Sequence, residues 1–274
     1  MLKQRIITAA ILAAVFFTAQ FGLSTPYFAG LCLVALTAAV YEWGKLTGLH
    51  PAGSLAVAAG VLLSALALLF NTGFSAVRGF SDPLALAVCG AASAFWIMVA
   101  PLWLHFGWTT RRPVTMAFLG ALVVLAMWIG ITQLHARSPW LLLAVLLVVW
   151  IADTAAYFSG RRFGRRKLAP VISPGKSWEG VYGALAAVFV YAVLLSLFAL
   201  PGPQVGLSRP LIVVCALALA MVSIVGDLFE SWLKRQAGVK DSGAALPGHG
   251  GVLDRIDALV PALAVATLLV VLLS

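Results

Sequence analysis

An all-α, polytopic membrane fold is predicted by three observations. Of 274 residues, 62% are hydrophobic and only 10% are charged, and mean hydropathy is +1.05, a balance outside that of soluble globular domains. The apolar residues fall in runs long enough to cross a bilayer, which takes about 20 residues of helix. Those runs are continuous, whereas barrel strands would alternate in short segments. One membrane domain spanning residues 1–274 is expected, with 1–138 mainly structural spans.

Nine spans are expected, in order. Ile6–Leu23 follows Lys3 and Arg5; this start resembles a signal peptide, but no small-x-small cleavage site follows, so a retained first helix is expected. Tyr27–Leu46 follows the turn at Ser24-Thr25-Pro26 and carries Glu42 and Lys45 near its end. Leu55–Phe70 follows His50-Pro51, Leu84–Leu104 follows Ser81-Asp82-Pro83, and Val114–Gln133 follows Arg112-Pro113. Pro139–Phe158 begins after Ser138, and Trp178–Leu200 follows the polar loop 159–177. Leu211–Leu233 follows Pro201-Gly202-Pro203, and Ala258–Leu273 follows a second polar loop, 234–257. The third and ninth runs are short.

The distribution of basic residues checks this count. With a cytosolic N-terminus, the inner side receives Lys3, Arg5, Lys45, Arg111, Arg112, Arg161, Arg162, Arg165, Arg166, Lys167, Lys176, Lys234, Arg235, Lys240 and Arg255. The outer side receives Arg78, Arg137 and Arg209. Fifteen against three follows the positive-inside rule, and one missed span would invert every later loop. Both long polar loops then lie in the cytosol. The net charge of +9 is explained by the membrane, and no nucleic-acid partner is expected, because the basic residues are dispersed among loops. Cys32, Cys89 and Cys215 lie in apolar runs without metal-type spacing, which points to buried packing.

The acids localise the chemistry. Seven of nine lie between Asp153 and Asp257: Asp153, Glu179, Asp227, Glu230, Asp241, Asp254 and Asp257. A carboxylate at membrane depth is costly and ordinarily faces protein, water or a cation. Asp227, Glu230, Ser231 and Lys234 share one helical face by their spacing, and Asp254 and Asp257 repeat the three-residue interval. Two readings stand: convergence on Mg²⁺, a hard ion that takes carboxylates, water and phosphate oxygens, or salt bridges to Lys234, Arg235, Lys240 and Arg255.

Other motifs carry paired readings. Asp153 in Trp150-Ile-Ala-Asp153-Thr-Ala-Ala-Tyr157 caps or pairs with an arginine of the following basic loop, or joins the site. In Ile172-Ser-Pro-Gly-Lys-Ser-Trp-Glu-Gly180, Ser173 reads as a helix N-cap and Pro174 as the first helical residue. Its free amides beside Lys176 would suit a phosphate, or the helix start is simply capped. The glycines of Leu246-Pro-Gly-His-Gly-Gly251 permit close backbone approach to an anion, or form only a turn. His249 is a polar contact or phosphate ligand before it is a general base. His50, His105 and His135 lie at span ends with no partner motif, where interfacial anchoring suffices.

Taken together, Ser231 to Asp257 resembles the signature of the phosphatidate cytidylyltransferases, or CDP-diacylglycerol synthases. That signature is a Ser, Lys-Arg, Lys-Asp, a Pro-x-His-Gly-Gly turn and Asp-Arg-x-Asp. Here it reads Ser231, Lys234, Arg235, Lys240, Asp241, Pro247, His249, Gly250, Gly251, Asp254, Arg255 and Asp257. The likeness extends through Asp153-Thr-Ala-Ala-Tyr-Phe158, Ile172–Gly180 and Gly226-Asp-Leu228, while the first half matches only as a series of spans. Family members usually carry Ser-Pro-Lys-Lys-Thr-x-Glu-Gly; Gly175 and Ser177 depart from it, so one cationic contact is missing, with an arginine of the preceding loop as the candidate replacement.

The resemblance implies that CTP and phosphatidic acid yield CDP-diacylglycerol and pyrophosphate in residues 139–274, at a bacterial cytoplasmic membrane with the site facing the cytosol. It implies Asp227, Asp254, Lys240 and Asp241 as catalytic residues, and Mg²⁺ on Asp227, Asp254 and Asp257. Lys234, Arg235, Lys240 and Arg255 would clamp the substrates, with Ser231, His249, Gly250 and Gly251 beside them. Ser173, Lys176 and Glu179 would form the opposite wall, and Asp153 would bind a second cation or the nucleotide. A homodimer is implied in the same way. A transporter is the rival from another class, disfavoured because the charges gather near helix ends and no inverted repeat is visible. A CDP-alcohol phosphotransferase is disfavoured because its Asp-x-x-Asp-Gly-x-x-Ala-Arg run is absent.

Overall fold

The computed structural model describes residues 2–71, 74–109, 112–197, 208–245, 248 and 250–273. It is nearly all helical, as the composition predicts: α1 (Leu2–Gly22), α2 (Thr25–Leu46), α3 (Pro51–Asn71), α4 (Asp82–Ala94), a π-helical turn (Phe95–Val99) and α5 (Ala100–Phe106). There follow α6 (Pro113–Arg137), α7 (Pro139–Phe163), α8 (Trp178–Leu197), α9 (Arg209–Gln236), α10 (Leu253–Ile256) and α11 (Leu259–Leu273). Proline stands in the first turn of α2, α4, α6, α7 and α9. There its missing N–H costs nothing and its fixed φ suits the helix, so the turn signals at Pro26, Pro83, Pro113 and Pro139 become helix starts, while Pro201-Gly202-Pro203 lies outside the described residues.

Among the described residues, seven helices are long and apolar enough to cross a membrane: Thr25–Leu46, Pro51–Phe70, Asp82–Phe106, Pro113–Arg137, Pro139–Phe163, Trp178–Leu197 and Arg209–Gln236. The first and last of the nine expected spans are present as the shorter apolar stretches Ala13–Gly22 and Leu259–Leu273. Seven crossings are thus supported among the described residues; α1, at 21 residues, also has the length of a crossing, and the count of nine is not confirmed. For α11 the reason is its position. It packs against α4, α6 and α9 and buries Val260 through Thr267 without a break, and a helix enclosed by protein need not match the hydrocarbon thickness. It runs from the loop 234–257 to the opposite end of the bundle, where Arg137 Nη1 donates to Val270 O at 3.1 Å and Arg137 Nη2 lies 3.5 Å from Asp82 Oδ1.

Two expectations are corrected. Ser173 does not cap a helix: Ser173–Ser177 is β2, paired antiparallel with β1 (Lys167–Ala169) through a bulge, with Ala169 opposite Ser173 and Lys167 opposite Ser177. A residue before proline is pushed toward extended backbone, and proline is tolerated at a sheet edge, so Ser173-Pro174 suits a strand as well as a helix start. The helix begins at Trp178, and Ser177 Oγ accepts the Gly180 amide at 3.2 Å as its cap. His135, expected to be an interfacial anchor without partners, is buried. Its Nδ1 lies 3.1 Å from Thr25 Oγ1, its Nε2 lies 2.8 Å from Gln20 O, and its ring stacks on Phe28. Those partners are far away in the chain, and no local motif announces them.

Candidate functional site

The last turns of α9 divide by face. Phe229 is fully buried and meets the rings of Trp43, Phe95, Trp96 and Trp103 at centroid distances of 6.1, 5.4, 5.5 and 6.0 Å. This aromatic cluster fixes the end of α9 against α2 and the π turn, a helix irregularity often found at functional sites. The other face carries the residues whose spacing predicted a stripe. Ser231 Oγ donates to Asp227 Oδ1 at 3.4 Å, and the Lys234 ammonium pairs with Glu230 one turn below.

Three further elements bring their charges to this stripe. From β2, Lys176 Nζ sits 2.6 Å from Asp227 Oδ2. From α7, Asp153 interacts electrostatically with both Asp227 and Lys176. From the turn between α10 and α11, Asp257 interacts with Asp227, Lys176 and Lys234. Gly226 permits that approach: a Cβ there would stand 2.6 Å from Asp257 O and 2.5 Å from Pro261 Cγ. Small residues at helix contacts let backbones close up in this way.

Lys234 also reaches α10, with Nζ 2.7 Å from Asp254 Oδ1. The second oxygen of Asp254 accepts the amides of Ser242 at 2.9 Å and Gly251 at 2.8 Å. Burial alone would raise the Asp254 carboxyl, but the Lys234 bond, with Glu230 and the two amides, outweighs it and holds the group down at about 2. Asp257 goes the other way. Burial first, and the Asp227 charge second, push its carboxyl above the usual carboxylate range, against the pull of the Ala258 amide, Lys176 and Lys234.

The remaining expected site residues lie around this core or apart from it. Lys240, Asp241 and Arg255 are exposed, on the loop 240–252 and on α10. Gly250 adopts φ +84, a left-handed conformation, and a Cβ on it would fall 2.7 Å from Asp254 Oδ2. His249 lies outside the described residues. Arg235 Nε donates to Ile172 O at 3.2 Å, tying α9 to the hairpin. Ser173 is half-buried in β2. Glu179 faces the basic loop: it accepts the amides of Arg165 at 3.0 Å and Arg166 at 3.2 Å and pairs with the Arg166 guanidinium at 3.6 Å. Gly175 is open to its surroundings, while Ser177 supplies the capping oxygen of α8.

Two buried acids were not assigned to the site by sequence reasoning. Glu230 is 2% exposed and shares Lys234 with Asp254. Glu42, near the end of α2, is 5% exposed and accepts Ser242 Oγ, Leu253 N and Val252 N. The signal was available: Glu42 is an acid inside an apolar span, where carboxylates usually have a task.

Carboxylate oxygens are the donor type that a hard divalent cation takes. The carboxylates of α7, α9 and the α10–α11 turn share the Lys176 ammonium, and Asp257 also faces Lys234. As the side chains stand, no three acid, histidine or cysteine groups among the described residues converge tightly enough to hold a metal. Lysines alternate with carboxylates here, so the site presents paired charges of both signs beside one helix end. Such a surface suits phosphate-bearing ligands.

Comparison with known proteins agrees with this chemistry. The model of the Cytidylyltransferase family matches residues 3–273. The chain is 40% identical to a phosphatidate cytidylyltransferase of Pseudomonas aeruginosa, over 97% of this chain and 95% of that protein. It is 36% identical to the Haemophilus influenzae phosphatidate cytidylyltransferase, over 96% of each chain. A Brucella suis protein of the same name is 56% identical over 118 residues, 43% of this chain and 42% of the relative.

Proposed function

We propose that this chain, which belongs to the cytidylyltransferase family, moves a cytidylyl group from CTP to phosphatidic acid and releases pyrophosphate. It is an enzyme, a nucleotidyltransferase, and its relatives over nearly the full length carry the name phosphatidate cytidylyltransferase. The observation that carries the reading is the pair of lysine bridges at the end of α9: Lys176 on Asp227, and Lys234 between Glu230 and Asp254.

The reaction joins two anions, so charge has to be neutralised before they meet. A phosphate oxygen of phosphatidic acid attacks the α-phosphorus of CTP, the new P–O bond forms, and the bond to the β-phosphate breaks. That oxygen is already ionised near neutral pH, since a phosphate monoester loses its second proton near pH 6, so no strong general base is required. Lys176 and Lys234 are held in place by their acids and present ammonium groups to the phosphates. Lys240, Arg235 and Arg255 stand nearer the surface, where CTP arrives from water. Asp227, Asp254 and Asp257 would hold Mg²⁺, with Asp241 near. Bound there, it would neutralise charge on the nucleotide and on the departing pyrophosphate. Asp153 would take a second cation or the nucleotide.

The orientation follows from charge. The site lies in the half of the chain whose loops hold most of the basic residues, so we place it on the cytosolic face of a bacterial inner membrane. The lipid head then stays at the interface while its tails pass sideways between helices. Detergent-purified chain mixed with CTP and phosphatidic acid tests this. Pyrophosphate release should need both substrates and should stop on chelation of divalent cations. Release without lipid, or none with both substrates and Mg²⁺, contradicts the reading.

A further inference from the structure

We propose that Glu42 is a positioning residue for cytidylyl transfer: its carboxylate holds both ends of the loop 242–253 and thereby sets Asp254 and the Lys234 bridge. The inference rests on the function proposed above. Glu42 belongs to α2, far in sequence from every residue of the site, and nothing in the signature includes it. Its Oε2 accepts Ser242 Oγ at 2.8 Å and the Leu253 amide at 2.8 Å, and its Oε1 accepts the Val252 amide at 3.1 Å. One buried carboxylate thus grips the loop where it leaves Asp241 and where it enters α10.

The grip is relayed to the site in two bonds. Ser242, whose hydroxyl is spent on Glu42, donates its own amide to Asp254 Oδ2 at 2.9 Å, and the Asp254 amide points back to Ser242 Oγ at 3.3 Å. Asp254 Oδ1 then receives Lys234. Glu42 touches neither lysine, so its influence runs through the loop. Loop composition fits this close approach: a Cβ on Gly243 would collide with Glu42 Oε1, and one on Gly251 with Glu42 Oε2 and Ser242 Oγ. Gly251, the second glycine of the His-Gly-Gly turn, is therefore required by the Glu42 carboxylate, with no anion needed to explain it.

The element that carries Glu42 is rigid. Its neighbour Trp43 is 2% exposed, donates Nε1 to Met116 O at 2.9 Å on α6, and faces Phe229 of α9. A group mounted on a packed helix positions a loop more sharply than the loop can position itself. The buried donors would be left unpaired without it, at the full cost of their desolvation.

The full chain in detergent tests this with Glu42→Gln, Glu42→Asp, Ser242→Ala and the Glu42→Gln/Ser242→Ala double variant. Turnover and hydrogen–deuterium exchange of residues 250–255 are both measured. Loss of charge-assisted bonds should lower kcat of Glu42→Gln by about 10- to 100-fold and leave KM for phosphatidic acid within about twofold. Exchange at 250–255 should speed up with the other helices unchanged, Glu42→Asp should recover part of kcat, and adding Ser242→Ala to Glu42→Gln should cost nothing further. Wild-type kcat in Glu42→Gln, additive losses in the double variant, or faster exchange spread over the whole chain would each overturn the proposal. If Glu42→Gln yields no folded protein, Ser242→Ala decides alone: wild-type kcat with unchanged exchange at 250–255 overturns it. A wild-type chain that makes no CDP-diacylglycerol sinks the functional reading, while the exchange data still test the grip of Glu42.

Discussion

Lys176 on the β-hairpin and Asp227 on α9 meet at 2.6 Å, joining two segments that the sequence separates by a whole membrane span. The hairpin fixes one partner and the aromatic cluster under Phe229 fixes the other. The pair is half-buried, with about a quarter to a third of each side chain exposed, 24% and 32%. It therefore stays open to ligands while the elements that carry it are held.

Replacing Lys176 with Met keeps its length and removes its charge. Asp227 would then lose its ion-pair partner, and Asp153 and Asp257 would each face the Asp227 charge without the Lys176 charge to offset it. Catalytic efficiency should fall by at least about 10-fold, the scale of one charge-assisted contact to phosphate. Lys176→Arg should restore part of the loss. Steady-state kinetics of both variants check this, and wild-type kcat/KM in Lys176→Met would remove Lys176 from the site.

Gly226 holds α9 against the turn that carries Asp257. Gly226→Ala should cost about 1–3 kcal/mol through overpacking against Asp257 O and Pro261 and should reduce activity with it. Gly30→Ala on α2 is the control: a Cβ there meets nothing within 4 Å, so that change should be neutral or stabilise by up to about 1 kcal/mol. Chemical denaturation in mixed micelles measures both. Equal effects at the two positions would contradict the close contact.

How much of this was legible varies with the range of the interaction. The helices α2 to α9 were readable because apolar length and proline-marked starts are local signals. The face shared by Asp227, Glu230, Ser231 and Lys234 was readable for the same reason, since helical spacing alone places them together. Its pairing was not. How Asp254 meets Lys234 depends on how α10 packs beside α9, which no local signal carries. The hairpin at 167–177 was missed because Ser173-Pro174 satisfies two local rules equally and the choice is made by pairing with Lys167–Ala169. Glu42 was noticed as an acid in a span, but its partners at 242–253 arise only when α2 packs beside the loop.

Glu179 provides a check on the basic loop independent of turnover. Its carboxylate holds the amides of Arg165 and Arg166. Glu179→Ala should free that segment, and limited trypsin treatment should cut at residues 161–167 roughly 10-fold faster, the scale set by losing one or two charge-assisted bonds. An unchanged cleavage rate would show that the segment is held by other contacts.

The most direct measurement follows the phosphorus atoms. Purified chain is incubated with phosphatidic acid and CTP labelled at either the α- or the γ-phosphorus, and lipid and water phases are separated. The account predicts that α-label enters the lipid phase, that γ-label leaves as pyrophosphate, and that Asp227→Asn abolishes both. Gamma-label in the lipid, or no label there at all, would contradict cytidylyl transfer.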